Sequence, residues 1–185
     1  MGDLSQLFNP ATIALLGASE AEGSLGAAAL NNLLESRDRK VFPVNPKQKK
    51  IFGIPCYPNI ADLPEKADLA VIGTPIPIVP GLVEECGRAG IREVIIFSAG
   101  FLETGEEGKG LLRDIDECRK RYGMRILGPN CLGFIRPGAG LRVSFLGSRP
   151  EPGKIAFITQ SAAFGKTLLD WWIGAHIGFS IFVSL

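Results

Sequence analysis

The sequence is poor in the residues that build metal and nucleophile sites. It has one histidine, His176, and four cysteines, Cys56, Cys86, Cys118 and Cys131, at wide and irregular intervals. No two cysteines make a C-x-x-C pair. Neither a zinc site nor a disulfide framework is therefore expected, and the thiols are read as reduced, which points to the cytoplasm. With a single unclustered histidine, Ser98 has no base to pair with, and G-x-S-x-G is missing. No catalytic residue and no metal ligand is assigned, and His176 is read as structural.

Net charge is also low. Twenty Lys and Arg against nineteen Asp and Glu give +1, which predicts neither a nucleic acid nor a membrane partner. Long apolar runs are absent. Ile13–Leu16 and Val94–Phe97 suit strands and are far too short to span a bilayer, and the N-terminus lacks the layout of a secretion signal. Finally, no G-x-G-x-x-G is present. Gly17 and Gly23 are separated by five residues, which argues against an NAD fingerprint.

What remains is a repeated β-α-β pattern. Thr12–Leu16 is a buried strand, Gly17 to Gly26 a glycine-bearing turn, and Gly26–Glu35 a helix with Leu30, Leu33 and Leu34 at helical spacing. Further strands are expected at 40–44, 68–73, 93–97 and 125–127, and helices at 79–89 and 106–122. In the second helix Leu111, Leu112, Ile115 and Cys118 form the apolar face. Residues 51–57 read as a turn and 60–63 as one helical turn. Asp3 to Pro10 reads as a short polar-apolar lead-in, and the charged connector Arg37 to Lys40 is read as solvated. Apolar strands with helices between them predict an α/β fold, a Rossmann-like, doubly wound parallel sheet. Ligands of such sheets sit beyond the carboxyl ends of the strands. Here those ends are Gly17 to Gly26, Asn45 to Lys50, Thr74 to Pro77, Ser98 to Gly100 and Gly128 to Cys131. Residues 132–152 read as a connector around a short strand at 141–145. The pattern then restarts with a strand at 155–159, a helix at 164–173 and a strand from 181.

The second strand ends in Asn45-Pro46-Lys47, where an NAD site would place an acidic residue. A cation there suits a phosphate on the ribose, as in NADP or coenzyme A. Other features have plain readings. Glu84-Glu85 and Glu106-Glu107 are solvated helix faces, one of Trp171 and Trp172 is core, and Cys131 packs.

The motifs LLGAS…GSLG, VFPVNPK, CYPNIADLP, DLAVIGTPIPIVPGLVEECG, IIFSAGF, RILGPNCLGFI and GKIAFITQS, in that order, resemble the coenzyme A-binding region of the NDP-forming acyl-CoA synthetases. These are the ADP-forming acetate–CoA ligases, relatives of the succinyl-CoA synthetase alpha subunit. The resemblance covers Leu7 to Leu185. It implies a Rossmann-like coenzyme A-binding domain over 1–140, a linker over 141–152, and over 153–185 the beginning of a flavodoxin-like ligase domain. It implies part of an acid–thiol ligase that interconverts acid, coenzyme A and ATP with acyl-CoA, ADP and phosphate through an acyl phosphate and a phosphohistidine. That histidine would lie outside this chain, leaving the fragment alone inactive. Partners would be coenzyme A or acyl-CoA, the remaining ligase and ATP-grasp parts, and further copies in an oligomer.

By position, the resemblance gives Gly17, Ser19, Gly23, Ser24 and Leu25 to the coenzyme's phosphates. It gives Lys47 to a phosphate of the nucleotide end, and Thr74, Pro75, Pro77, Phe97, Ser98 and Ala99 to the groove. Asn130 falls at the pantetheine end. Gln160 and Ser161 would face a phosphate, although the usual Q-S-G reads Gln160-Ser161-Ala162 here, which is expected to restrict the backbone. The alternatives are a coenzyme A-binding regulatory module of a protein lysine acetyltransferase and, further off, an NADP-dependent oxidoreductase domain.

Overall fold

The fold, seen in a computed structural model, is described for residues 4–36 and 38–185. Met1 to Asp3 and Arg37 lie outside the described residues, and with them the first residue of the expected lead-in, Asp3, and of the expected connector, Arg37.

The chain opens with one helical turn, α1 (Ser5–Phe8), followed by β1 (Thr12–Leu16), α2 (Leu25–Leu34) and β2 (Lys40–Val44). A small hairpin, β3 (Lys50–Ile51) and β4 (Ile54–Pro55), turns on Phe52 and Gly53. Then come β5 (Leu69–Ile72), α3 (Val79–Arg88), β6 (Glu93–Ile96), α4 (Glu106–Tyr122) and β7 (Arg125–Leu127). The last part holds β8 (Gly133–Arg136), β9 (Leu141–Val143), β10 (Pro152–Thr159), α5 (Ala162–Gly174) and β11 (Phe179–Ser184).

The first sheet runs in the order β2-β1-β5-β6-β7, and all its pairings are parallel. Side chains of a strand alternate between faces, and the packing follows that period. Ile13, Leu15, Leu69, Val71, Ile95 and Leu127 meet Leu30 and Leu33 of α2. Ala14, Leu16, Ala70, Ile72, Val94 and Ile96 meet Val79 and Val83 of α3 and Ile115 of α4. Helices therefore cover both faces, as expected of a doubly wound sheet. The chain leaves β1 toward β2 on one side and returns to β5 on the other, which opens a crevice at the carboxyl ends of β1 and β5.

On the α2 face a second sheet completes the cover. Its order is β10-β11-β8-β9. β10 and β11 are parallel, while β11, β8 and β9 pair antiparallel. Phe134, Val143 and Val183 join the cluster of Ile13 and Leu30. Ile135, Phe179 and Phe182 face the other way, against Leu169 of α5. A stretch expected as a connector thus carries two strands, of which 141–145 marked one. The other, GFIR, is short and sits among glycines and a proline that mask its period.

Glu84 departs from its reading as a solvated side chain. Its carboxylate accepts from Tyr122 Oη at 2.6 Å, Arg88 Nε at 3.0 Å and Arg121 Nη1 at 3.1 Å. The Cys118 thiol lies 3.2 Å from it. These donors, the tyrosine first, hold the Glu84 carboxyl down at about 2, and the knot ties α3 to α4. At the start of β6, Glu93 is fully buried and receives Arg125 Nε at 2.9 Å.

All four cysteines are free and buried. Burial pushes the Cys131 thiol up to about 12, and its sulfur lies 3.5 Å from the Ile96 carbonyl oxygen. Trp172 stacks edge-on against Phe157 at 5.0 Å, while Trp171 is exposed. No helix among the described residues is long and apolar enough to cross a membrane.

Candidate functional site

The first turn past β1 is shaped by contact. Gly17 has φ +89°, and a Cβ there would lie 2.5 Å from the Gly73 carbonyl oxygen. Only glycine lets the ends of β1 and β5 approach so closely. Gly26 in the first turn of α2 is equally confined, since its Cβ would fall 2.1 Å from Gly17 O. Ser24 caps α2, accepting from Ala27 N at 3.1 Å, and Ser19 Oγ accepts from Ala21 N at 3.0 Å. Each serine oxygen accepts a backbone N–H and keeps its own O–H as a donor. What the turn can present to an oxyanion is therefore these hydroxyls, backbone N–H and the positive end of the helix dipole.

Beside this turn is a cleft of about 510 Å³. It gathers Gly17 from β1, Asn45 and Lys47 from the end of β2, and Thr74 and Pro75 from the end of β5. Asn45 fixes the two loops against each other. Its Nδ2 donates to Ala18 O at 2.8 Å, and its Oδ1 accepts from Lys47 N at 2.9 Å. Among the described residues the Lys47 ammonium has no carboxylate partner. Thr74 Oγ1 is buried without a hydrogen-bond partner. An unpaired cation and an orphaned hydroxyl in one cleft fit a ligand that carries a phosphate and further acceptors.

The other predicted residues divide. Leu25 lies over Gly73, whose Cβ would meet Leu25 Cδ2 at 2.5 Å. Pro75 and Pro77 are exposed around the 3₁₀ turn at Ile76–Ile78. Ser98 Oγ donates to Thr74 O at 2.6 Å and accepts from Thr74 N at 3.2 Å, so it ties β6 to β5. Phe97 points its ring into the core, edge-on to Phe145 at 5.2 Å, and can offer a ligand only its backbone. Ala99 and Asn130 are exposed.

Gly23 and Ser24 line a different depression, with Glu20, Glu22 and Phe52, and the two carboxylates there oppose a phosphate. Glu20 accepts from Phe52 N. Ser161 caps α5 through Phe164 N at 3.3 Å. Ala162 is the first helical residue, a conformation that needs no glycine. His176 sits exposed beyond α5, its Nδ1 3.3 Å from Glu151 Oε1.

Sequence reasoning missed the clamp role of Asn45 and the part played by Leu82 and Glu85, which line the cleft from α3. Their spacing of three on a helix put them on one face and was the available signal. The cleft is built for holding. Ser98 is doubly tied, and the Cys131 thiol is buried and protonated at neutral pH.

Residues 11–137 match the family model described as CoA binding domain. The chain belongs to the coenzyme A-binding domain family. It is 43% identical over 182 residues to an acetate–CoA ligase [ADP-forming] I of Archaeoglobus fulgidus, covering 98% of this chain and 26% of that protein. It is 40% identical to the alpha subunit of acetate–CoA ligase [ADP-forming] II of Pyrococcus furiosus, covering 98% of this chain and 40% of that subunit. Among solved structures, the dinucleotide-forming acetyl-coenzyme A synthetase 1 of Ca. Korarchaeum cryptofilum superposes with a TM-score of 0.92 at 38% identity, over 100% of this chain and 39% of that one. This coenzyme A-binding domain thus spans about a quarter to two-fifths of the length of these relatives.

Proposed function

We infer that the cleft between the ends of β1, β2 and β5 binds coenzyme A. We infer further that the chain serves as the coenzyme-binding part of an ADP-forming acyl-CoA ligase. The observation that carries the reading is the meeting, in one cleft, of the Gly17 turn, the unpaired Lys47 and the orphaned Thr74 hydroxyl. In this reading Lys47 meets the ribose 3′-phosphate and the Gly17 turn takes the pyrophosphate. Thr74 gives its hydroxyl to the nucleotide, and the arm runs over Ser98 toward Asn130.

The proposed overall reaction is acid, coenzyme A and ATP going to acyl-CoA, ADP and phosphate through an acyl phosphate and a phosphohistidine. His176 does not line the cleft, so the phosphohistidine step is assigned to another part of the ligase. The ATP-grasp region is a proposed partner, and so are further copies in an oligomer. Residues 1–140 are read as the coenzyme domain, 141–152 as the passage out of it and 153–185 as the start of the next domain. The extent of the family match, 11–137, supports that division. Free, buried thiols favour a cytoplasmic setting.

Calorimetric titration with coenzyme A, 3′-dephospho-coenzyme A, NADPH and NADH tests the reading. Coenzyme A is expected to bind tightest. Lys47→Ala is expected to weaken coenzyme A about tenfold, the scale of one charge-assisted hydrogen bond, and to leave the dephospho form nearly unchanged. Preference for NADH, or equal losses for both coenzyme forms, would overturn it.

A further inference from the structure

The two places read above as phosphate sites, the turn after β1 and Lys47 after β2, stand on different loops. One side chain spans them. Asn45 Nδ2 donates to Ala18 O at 2.8 Å, and Asn45 Oδ1 accepts from Lys47 N at 2.9 Å. The side-chain amide is bonded at both ends, which fixes its orientation. Its own backbone is held as well: Asn45 N donates to Tyr57 O at 2.9 Å, and Gln48 N donates to Asn45 O at 3.3 Å.

Each of these bonds bears on one phosphate site. On the β1 side, Ala18 is fully buried, and Gly17 N donates to Val44 O at 3.0 Å. The turn therefore leaves β1 already paired to the end of β2. A peptide unit is planar, so holding Ala18 O also fixes the direction of the Ser19 N–H, one of the donors of that turn. On the β2 side, Lys47 is exposed and has no carboxylate partner among the described residues. A long side chain without a partner is aimed by its backbone alone. Here residues 45–48 close a β-turn. Pro46 stands second, where its fixed φ suits the turn, and Asn45 stands first, where its side chain takes the N–H two residues on. A further tie, from Phe52 N to the Glu20 carboxylate, joins the same phosphate turn to the hairpin that follows Lys47.

We propose that Asn45 is a positioning residue that couples the phosphate turn to Lys47. It sets how strongly the cleft prefers a coenzyme carrying the 3′-phosphate. The inference rests on the coenzyme A reading above and adds the residue that governs its specificity. The role needs a donor and an acceptor on one short side chain, which asparagine supplies. Serine in its place can still accept from Lys47 N, as in other serine turns, but lacks the reach and the second group that hold Ala18 O.

The test is titration of the chain with coenzyme A and 3′-dephospho-coenzyme A. The readout is the ratio of the two affinities, which a general weakening of the fold would leave in place. Asn45→Ala is expected to lower that ratio about fivefold, the scale of one lost hydrogen bond, and to weaken the dephospho form as well. In a Lys47→Ala background, Asn45→Ala is expected to leave the ratio unmoved, because the two residues act through one contact. Asn45→Ser is expected to hold the ratio within about twofold of the parent while weakening both ligands alike. It is the milder change, and it separates the two ties even if Asn45→Ala does not fold. Equal losses for both ligands in Asn45→Ala would overturn the positioning role. So would a ratio that still falls in the Lys47→Ala background, or one that falls as far in Asn45→Ser as in Asn45→Ala. A parent ratio near one, or one that Lys47→Ala does not move, would strike the coenzyme A reading itself.

Discussion

The two sheets obey one packing rule and differ in how far it is completed. In the first sheet β1, β5 and β6 are buried along their whole length, because helices or the second sheet cover both faces. In the second, β8 and β9 are buried, but β10 is exposed over nearly its whole length. Ile155 and Ile158 stand in water on β10, and Phe164 and Trp171 do so on α5. Yet Phe134 and Val183 of the second sheet belong to the same apolar cluster as Ile13 of the first. The inner half of the second sheet thus shares the core of the first sheet, while its outer half contributes little to it.

That contrast can be broken by substitution. The largest effect is expected from Phe134→Ala, which empties a fully buried site shared by both sheets and is expected to cost about 3–5 kcal/mol. Urea unfolding measures it. Two separate transitions in that experiment would show the sheets to be independent. Next is Gly17→Ala, which forces a side chain into a positive-φ position against Gly73 O and is expected to cost about 1–3 kcal/mol, together with coenzyme affinity. At the low end, Ile158→Ser on the exposed strand is expected to stay within about 0.5 kcal/mol of the parent. A loss as large as that of Phe134→Ala would end the distinction between inner and outer halves.

A pH titration sharpens the comparison from the opposite face of the first sheet. The Glu84 carboxyl is lowered from 4.5 to about 2. Its contribution is complete above about pH 4.5 and disappears as pH falls through 2. Unfolding midpoints taken between these limits are expected to drop with pH, and Glu84→Gln is expected to flatten that slope. A slope unchanged in Glu84→Gln would remove the knot from the account of stability.

Much of this architecture was legible because period and punctuation agree. α4 runs over Glu106–Tyr122 as expected, with Arg119, Lys120 and Arg121 in its last turn and Gly123 in the left-handed conformation after it. β2 keeps its expected bounds, ending at Val44 before Asn45-Pro46. Lys47 and Thr74 could be nominated because a doubly wound sheet brings strand ends together. Other features depend on separations that no local pattern carries. Glu84 meets Tyr122 across 38 residues. The hydroxyl oxygens of Ser19 and Ser24 look free in the sequence but accept backbone N–H groups of their own loop and helix. The ring of Phe97 was open to a better reading, since alternation from Ile95 sends it to the same face.

The knot at Glu84 reaches further than the helices it joins. Glu84 lies between Leu82 and Glu85, which form one wall of the cleft proposed to hold the coenzyme. Tyr122 and Arg121 brace that wall from behind, from a helix that supplies no lining residue to the cleft. The stiffness of the wall and the affinity of the cleft are then thermodynamically linked. Tyr122→Phe keeps the ring and removes only the hydroxyl. It is expected to weaken the ligand modestly without touching it, and bound ligand is expected in turn to slow amide exchange along α3.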